Sequence, residues 1–456
     1  MPAGPPEHSG HIPVDQAAQA RVVRKAAFRI IPIVGIAYFL CNLERSNLSV
    51  AALSMNRSLG LTETAFGIAS GVFFIGYFLA EVPSNLALVR FGARRWLARI
   101  TITWGILAAL TAAAQGPTSL YVWRALLGFA EAGLAPGVIY YFTLWFPSRD
   151  RGKMVTLFTG LGGLLGSLIG NPLSGGILTF LPHGAFGLED WRVLFVVEGA
   201  LSVILGFVLL KALSDRPEQA RWLTAEEQTT LKTMIEAEAS TTEKHPKPWR
   251  MLLDVRLSLL SVVWFFKSAG AYALTFFLPT IVAEIVKSTG GGHSSLYVAS
   301  VAAIPSAIAL IGAVCWSWHS DRTGERRWHS AVPLFVGAAG LLAYVVVSHN
   351  LVLVIVALTV ATIGLNSISG AFFQIPSLYL SGAAAATGLA MVNATGNLGG
   401  FVGPYLFGAF SDATGSFAVG TVVLSAMLVA GGVIVLMPIV VRSRRSRREP
   451  LPQLNK

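Results

Sequence analysis

The sequence is poor in charge. Acidic and basic residues make up 12% of its 456 positions, about half the share of an ordinary soluble domain. A soluble fold of this length would need far more polar surface. Cysteine is nearly absent: Cys41 and Cys315 are the two present. They lie in apolar stretches without metal-ligand spacing, which excludes a disulfide framework and a zinc site and reads as small apolar packing. No nucleophile elbow and no phosphate-cradling glycine loop occurs, so an enzyme is not expected and no cofactor is called for. A net charge of +11 could suggest nucleic acid. The basic residues, however, sit at the ends of apolar runs, as membrane topology requires.

Hydrophobic residues are plentiful, at 54%, with a mean hydropathy of +0.63. A spanning helix needs about 20 mainly apolar residues, and twelve such runs appear. They lie near 28–52, 62–89, 95–115, 117–146, 153–180 and 191–212, then 255–286, 294–319, 328–348, 351–380, 385–410 and 416–441. The expected fold class is an all-α membrane protein of twelve transmembrane helices in two six-helix bundles. Its domains are a tail over 1–27, a bundle over 28–212, a charged linker over 213–250, a bundle over 251–441 and a basic tail over 442–456. Arg and Lys cluster on one side, which places linker and both termini in the cytoplasm. The start MPAGPPEHSG lacks the pattern of a cleavable signal, so the first span is expected to direct insertion.

A faint repeat supports the two halves. RFGARR (Arg90–Arg95) follows the second span, and DRTGERR (Asp321–Arg327) follows the eighth. Matching basic loops in two halves of six spans are what two-bundle transporters carry. Gly162, Gly166 and Gly170 in the fifth span, and Gly396, Gly400 and Pro404 in the eleventh, step by four and suit close helix packing.

Ionisable residues inside spans are costly and normally face a bundle interior or a watery cavity. Here they are Glu44 and Arg45, Glu81, Arg124 and Glu131, Glu198, and Lys267. Arg124 and Glu131, seven apart, share a helix face. That spacing suits either a fixed salt bridge or an acid whose proton affinity is tuned by a movable Arg. Adjacent residues point about 100° apart on a helix, so Glu44 and Arg45 need partners elsewhere, and Arg45 suits a substrate carboxylate. Glu81 and Glu198, near span ends, read as structural, while Lys267 could meet an anion or an acid. Tyr38, Asn42, Tyr77, Tyr272, Gln374, Asn393 and Asn397 form a candidate binding shell at similar expected depth.

YFLCNLERSNLSVAAL, RALLGFAEAGLAPGVIYYFTLWFPSRDRGK, SDRTGERRWH and GLAMVNATGNLGGFVGPYLFG together resemble the anion:cation symporter family of the major facilitator superfamily, whose members carry tartrate, phthalate and sugar acids. The resemblance runs through the whole chain. It implies secondary active transport by alternating access: proton-coupled uptake of an organic carboxylate by a monomer in the bacterial inner membrane. It assigns Arg45 to the substrate carboxylate, Glu44 and Glu131 to protons, and Arg124 to switching with Glu131. Tyr77 and Asn393 or Asn397 would line the site, and Arg90, Asp321 and Arg322 would belong to the gating loops. Two departures stand out: the family has Asp at the Glu44 position, and Val89 stands where the first basic loop ordinarily has an acid. Export, or proton-independent uniport or exchange, by the same fold is the alternative, and a receptor, a channel or a membrane enzyme fits less well.

Overall fold

In hydrocarbon every backbone amide must bond within its own segment or a closed barrel, and the described residues take the helical solution. The computed structural model describes residues 16–239, 254–288, 294–347, 350–378, 380 and 382–438, among which no strand occurs. The expected tail over 442–456 and residues 240–250 of the expected linker lie outside the described residues.

The first half runs α1 (Gln16–Ser58), α2 (Glu63–Phe91), α3 (Ala93–Leu110), α4 (Pro117–Glu131), α5 (Leu134–Thr143), α6 (Ser148–Thr159), α7 (Leu165–Phe180) and α8 (Asp190–Ala212). After a short helix α9 (Ala225–Ala239) come α10 (Val255–Ser288), α11 (Ser295–Thr323), α12 (Arg327–Val346), α13 (Leu351–Phe372), α14 (Gly382–Asn397), α15 (Gly399–Thr414) and α16 (Ala418–Leu436). Ten stretches among the described residues are long and apolar enough to cross a membrane, with α4 and α5 counted as one. The other two expected spans are helical but interrupted. A π turn over Gly160–Leu164 splits α6 from α7, and α14 breaks from α15 at Leu398. The sequences there, GLGGL and GNLGG, are rich in glycine, which weakens a helix interior.

Within the first half α3 packs on α8 and α2 on α4; in the second, α12 packs on α13 and α16. The α2–α4 seam is a backbone contact: a Cβ at Gly128 would lie 2.0 Å from the Phe73 carbonyl oxygen. Between the halves α2 meets α15, α7 meets α11 and α1 meets α10. The glycine-spaced faces behave as read: Gly162 and Gly166 lie against Tyr38 and Asn42 of α1, and Gly400 against Phe74 of α2.

The end of the molecule at which α1 finishes is fastened across both flanks. Asp412 of α15 accepts from the amides of Glu63 and Thr64 at 3.0 and 2.8 Å, and the amide of Leu296 donates to the Thr179 hydroxyl at 3.0 Å. At the opposite end the chain after α8 is tied to the first half. Lys25 pairs with Glu227 at 2.6 Å, Trp145 stacks on Trp222 at 5.6 Å, and Tyr141 donates to the Ser214 carbonyl at 2.7 Å.

Candidate functional site

The site is built where α1, α2, α4 and α10 converge. Arg45, about two-thirds of the way along α1, donates from Nε to Glu131 Oε1 at 2.6 Å, and Nη2 approaches the same oxygen at 2.5 Å. Glu131 ends α4 and is fully buried. Directly after it the helix breaks at Gly133, which has φ 93° and a backbone that ordinary side chains resist. Cys41, one turn before Arg45, donates its thiol to the same Glu131 oxygen at 3.1 Å. The Arg45 guanidinium lies 5.2 Å from the Phe73 ring and 5.1 Å from Tyr77, within the range of a cation–π contact. Tyr272 of α10 packs on Phe74 at 4.2 Å, and Phe74 on Phe73 at 5.2 Å. The ion pair therefore lies at the seam of the two halves, and the Arg45 side chain retains 20% exposure.

Arg124 does not make the ion pair with Glu131 that a shared helix face suggested. Its Nε donates weakly to the Ala69 carbonyl at 3.4 Å, and both terminal nitrogens lack a hydrogen-bond partner. Its guanidinium lies 5.3 Å from the Phe73 ring, so that ring flanks Arg45 and Arg124 alike. A fully buried guanidinium with two free ends is expensive unless another state gives it an anion.

Glu44 finds its partner on α8. Its side chain turns away from the Arg45 side of α1 and accepts from the Ser202 hydroxyl of α8, and its second oxygen is unpartnered. Beside it Glu198 accepts from Asn47 and from Ser174, each at 2.7 Å. Glu44, Asn47, Ser174, Glu198 and Ser202 are all buried. Sequence reading passed over this cluster. The signal was present, since Glu44 and Asn47 stand three apart and Glu198 and Ser202 four apart, each pair on one helix face.

The rest of the expected shell divides. Tyr38 meets the Phe158 ring at 4.7 Å and lies against Gly162 of the π turn, while Asn42 donates to the Tyr38 carbonyl of its own helix at 2.7 Å. Asn393 and Asn397 are half-buried on α14, where Gly396 between them rests on Trp264. Gln374 is not with Arg45. It follows α13 and donates to the Gly370 carbonyl at 3.0 Å and toward Asp321 at 3.5 Å. It therefore belongs with the gating loop, where Asp321 pairs with Arg326 at 3.0 Å. Arg90 and Arg322 lie over Phe91 and Trp318 of their own helices. The acid missing before Arg90 has a substitute that sequence did not suggest: Asp215 accepts from the Arg94 amide at 2.8 Å and fills the space beside Gly92. Lys267 lies 4.5 Å from the Trp264 ring with no acid paired to it among the described residues. Cys315, expected inside, is exposed on α11. No group of three metal-ligating side chains occurs among the described residues.

The profile of the Major Facilitator Superfamily matches residues 34–404. A protein of Agrobacterium vitis named "Putative tartrate transporter" is 43% identical over 420 residues, covering 92% of this chain and 91% of that one. A quinolone resistance transporter of Acinetobacter baumannii is 36% identical over 413 residues, covering 90% and 93%. Among solved structures, a bacterial homologue of the human lysosomal transporter Spinster, in an inward-facing, unoccupied conformation, superposes with a TM-score of 0.69 at 16% identity. It covers 92% of this chain and 95% of that one.

Proposed function

From its membership in the Major Facilitator Superfamily, to which the chain belongs and which makes it a multi-pass membrane transporter rather than an enzyme, we propose that it takes up an organic carboxylate together with protons. The observation that carries this reading is the Arg45–Glu131 ion pair. With Glu131 ionised, Arg45 is occupied and a substrate carboxylate must displace an anion already in place. A proton on Glu131 removes that competitor, and the freed guanidinium then takes the substrate carboxylate in bidentate fashion. Proton and anion thus bind together, and loss of the proton lets Glu131 reclaim Arg45 and expel the substrate. Arg124, with its free nitrogens, is the second place Glu131 can go as the halves rock. Tyr38, Tyr77, Tyr272, Asn393 and Asn397 would contact the rest of the substrate, and Lys267 adds a cation from the second half. The name of the Agrobacterium relative supports a small hydroxy-acid such as tartrate as the substrate class.

The basic loops favour termini and linker in the cytoplasm of a bacterial inner membrane. In that orientation the fastened end is periplasmic, and the conformation faces inward. Replacing Glu131→Gln removes the competing negative charge from Arg45 at every pH. In proteoliposomes the variant is expected to retain tartrate counterflow while proton-driven accumulation falls at least tenfold. Accumulation equal to wild type would overturn the coupling role. The quinolone resistance relative favours a second reading, export, which predicts substrate entry into inverted but not right-side-out vesicles.

A further inference from the structure

A cavity of about 620 Å³ opens between the first turns of α1 and α6. Both helices change character along it in the same direction. On α1, Arg24 gives way one turn later to Phe28 and then to Pro32; on α6, Arg149 and Lys153 give way to Leu157. Steps of four residues keep each series on one face and advance it about 6 Å per step. The cavity therefore has a basic rim and an apolar floor, the floor lying deeper in the spans. Among the lining residues Asp150 is the one acid, and it pairs with Arg149 at 3.2 Å. Three cations against one acid leave the rim at +2. Below it Phe28 and Leu157 are 77% and 49% exposed, without protein cover. Neither residue takes part in the Arg45 site, and Lys25, on the next face of α1, is engaged by Glu227.

We propose that this groove holds an anionic glycerophospholipid of the leaflet on the side of the termini. Its phosphate would sit on Arg24, Lys153 and Arg149, and an acyl chain would run over Phe28 and Leu157. Charge and shape choose this occupant together. A free small anion would match the rim and leave the apolar floor bare, whereas a zwitterionic lipid would bring its own cation against three others. Basic pockets between spans at the cytoplasmic surface suit anionic head groups, and the proposal takes the orientation given above.

The test uses the full-length protein in detergent and needs no transport, so its failure is separate from failure of the uptake reading. Native mass spectrometry is run with phosphatidylglycerol, phosphatidylcholine, or glycerol phosphate as a chainless head group. Wild type is expected to retain one phosphatidylglycerol. Arg24→Gln/Lys153→Gln should reduce that occupancy at least fivefold, and Phe28→Asn should reduce it several-fold. All these positions are exposed, so unchanged elution and melting in phosphatidylcholine micelles certify folding. Equal retention of the two lipids, or equal retention by variant and wild type, would overturn the proposal. Retention of glycerol phosphate as strong as that of phosphatidylglycerol would overturn it too, by making the groove a site for free anions.

Discussion

At the scale of single residues, the chain keeps its expensive charges by dividing them between two environments. YFLCNLERSNLSV places Glu44 and Arg45 side by side, and the 100° between neighbours on a helix sends them in different directions. That divergence was legible in spacing, but the direction of Glu44 was not. Whether a carboxylate faces the seam between halves or the packing inside one half depends on which helix lies behind it, and this is settled only when α8 docks with Ser202 and Glu198. The Arg124–Glu131 contact is not made in this structure for a related reason. A shared helix face makes a contact geometrically available, but Arg45 of α1 reaches the same oxygen with two nitrogens and takes it. The Glu198 cluster yields a prediction about stability. Glu198→Ala strands Asn47 and Ser174 as buried donors, and an unsatisfied buried group costs about 1–3 kcal/mol. The variant is expected to melt several degrees below wild type, with Glu198→Gln, which keeps an acceptor, falling between them. Equal melting of all three would mean the cluster holds nothing together.

At the scale of elements, span positions were readable because length and hydropathy determine them, whereas breaks inside spans depend on tertiary contact. The interruption after Glu131 had a sequence sign in the glycines and Pro136 of GFAEAGLAPG; the π turn at Gly160–Leu164 had only glycine. The α2–α4 seam makes a sharp test. A methyl at Gly128 would collide with the Phe73 carbonyl, while one at Gly152 meets nothing within 4 Å. Gly128→Ala is therefore expected to lower the yield of folded protein severalfold, and Gly152→Ala to leave it unchanged, as read by fluorescence-detected size exclusion. Another element-level device is the cap of α12. Glu325 accepts from the amides of Trp328 and His329 at 2.8 and 3.1 Å. Partial burial pushes its carboxyl up, but those amides and the His329 ring outweigh the burial and hold it below its ordinary range. A carboxyl depressed in the folded state contributes stability above its unfolded pKa and loses it as pH falls through the folded value. Glu325→Ala should thus cost about 1 kcal/mol at neutral pH, the worth of a cap. In thermal melts the difference should shrink below the ordinary carboxylate range; a difference that persists there would assign it to packing instead.

At the scale of the whole molecule, the six-plus-six architecture was legible because it is written several times over, in hydropathy, in basic loops and in small-residue faces. Which end of the molecule is shut was not, because one sequence must serve both states of an alternating carrier. The polar contacts that close this state, Asp412 on two backbone amides of α2 and the Thr179 hydroxyl under the Leu296 amide, lie on seams where α2 packs on α15 and α7 on α11. Backbone amides present the same face to a carboxylate whatever the side chain, so such contacts leave little trace in residue pattern. A carrier opens such a seam when substrate binding favours the other state by a few kcal/mol. A covalent bond at the same place should therefore hold the carrier still. Cysteines at Thr179 and Leu296 lie on facing helix ends, while Cys41 is buried and Cys315 lies near the other end of α11. Oxidation of the Thr179→Cys/Leu296→Cys protein is expected to cut uptake more than tenfold and reduction to restore it, with each single variant insensitive to oxidant. Full uptake by the cross-linked protein would mean that the fastened end never opens during transport, and a rocking carrier could not work that way.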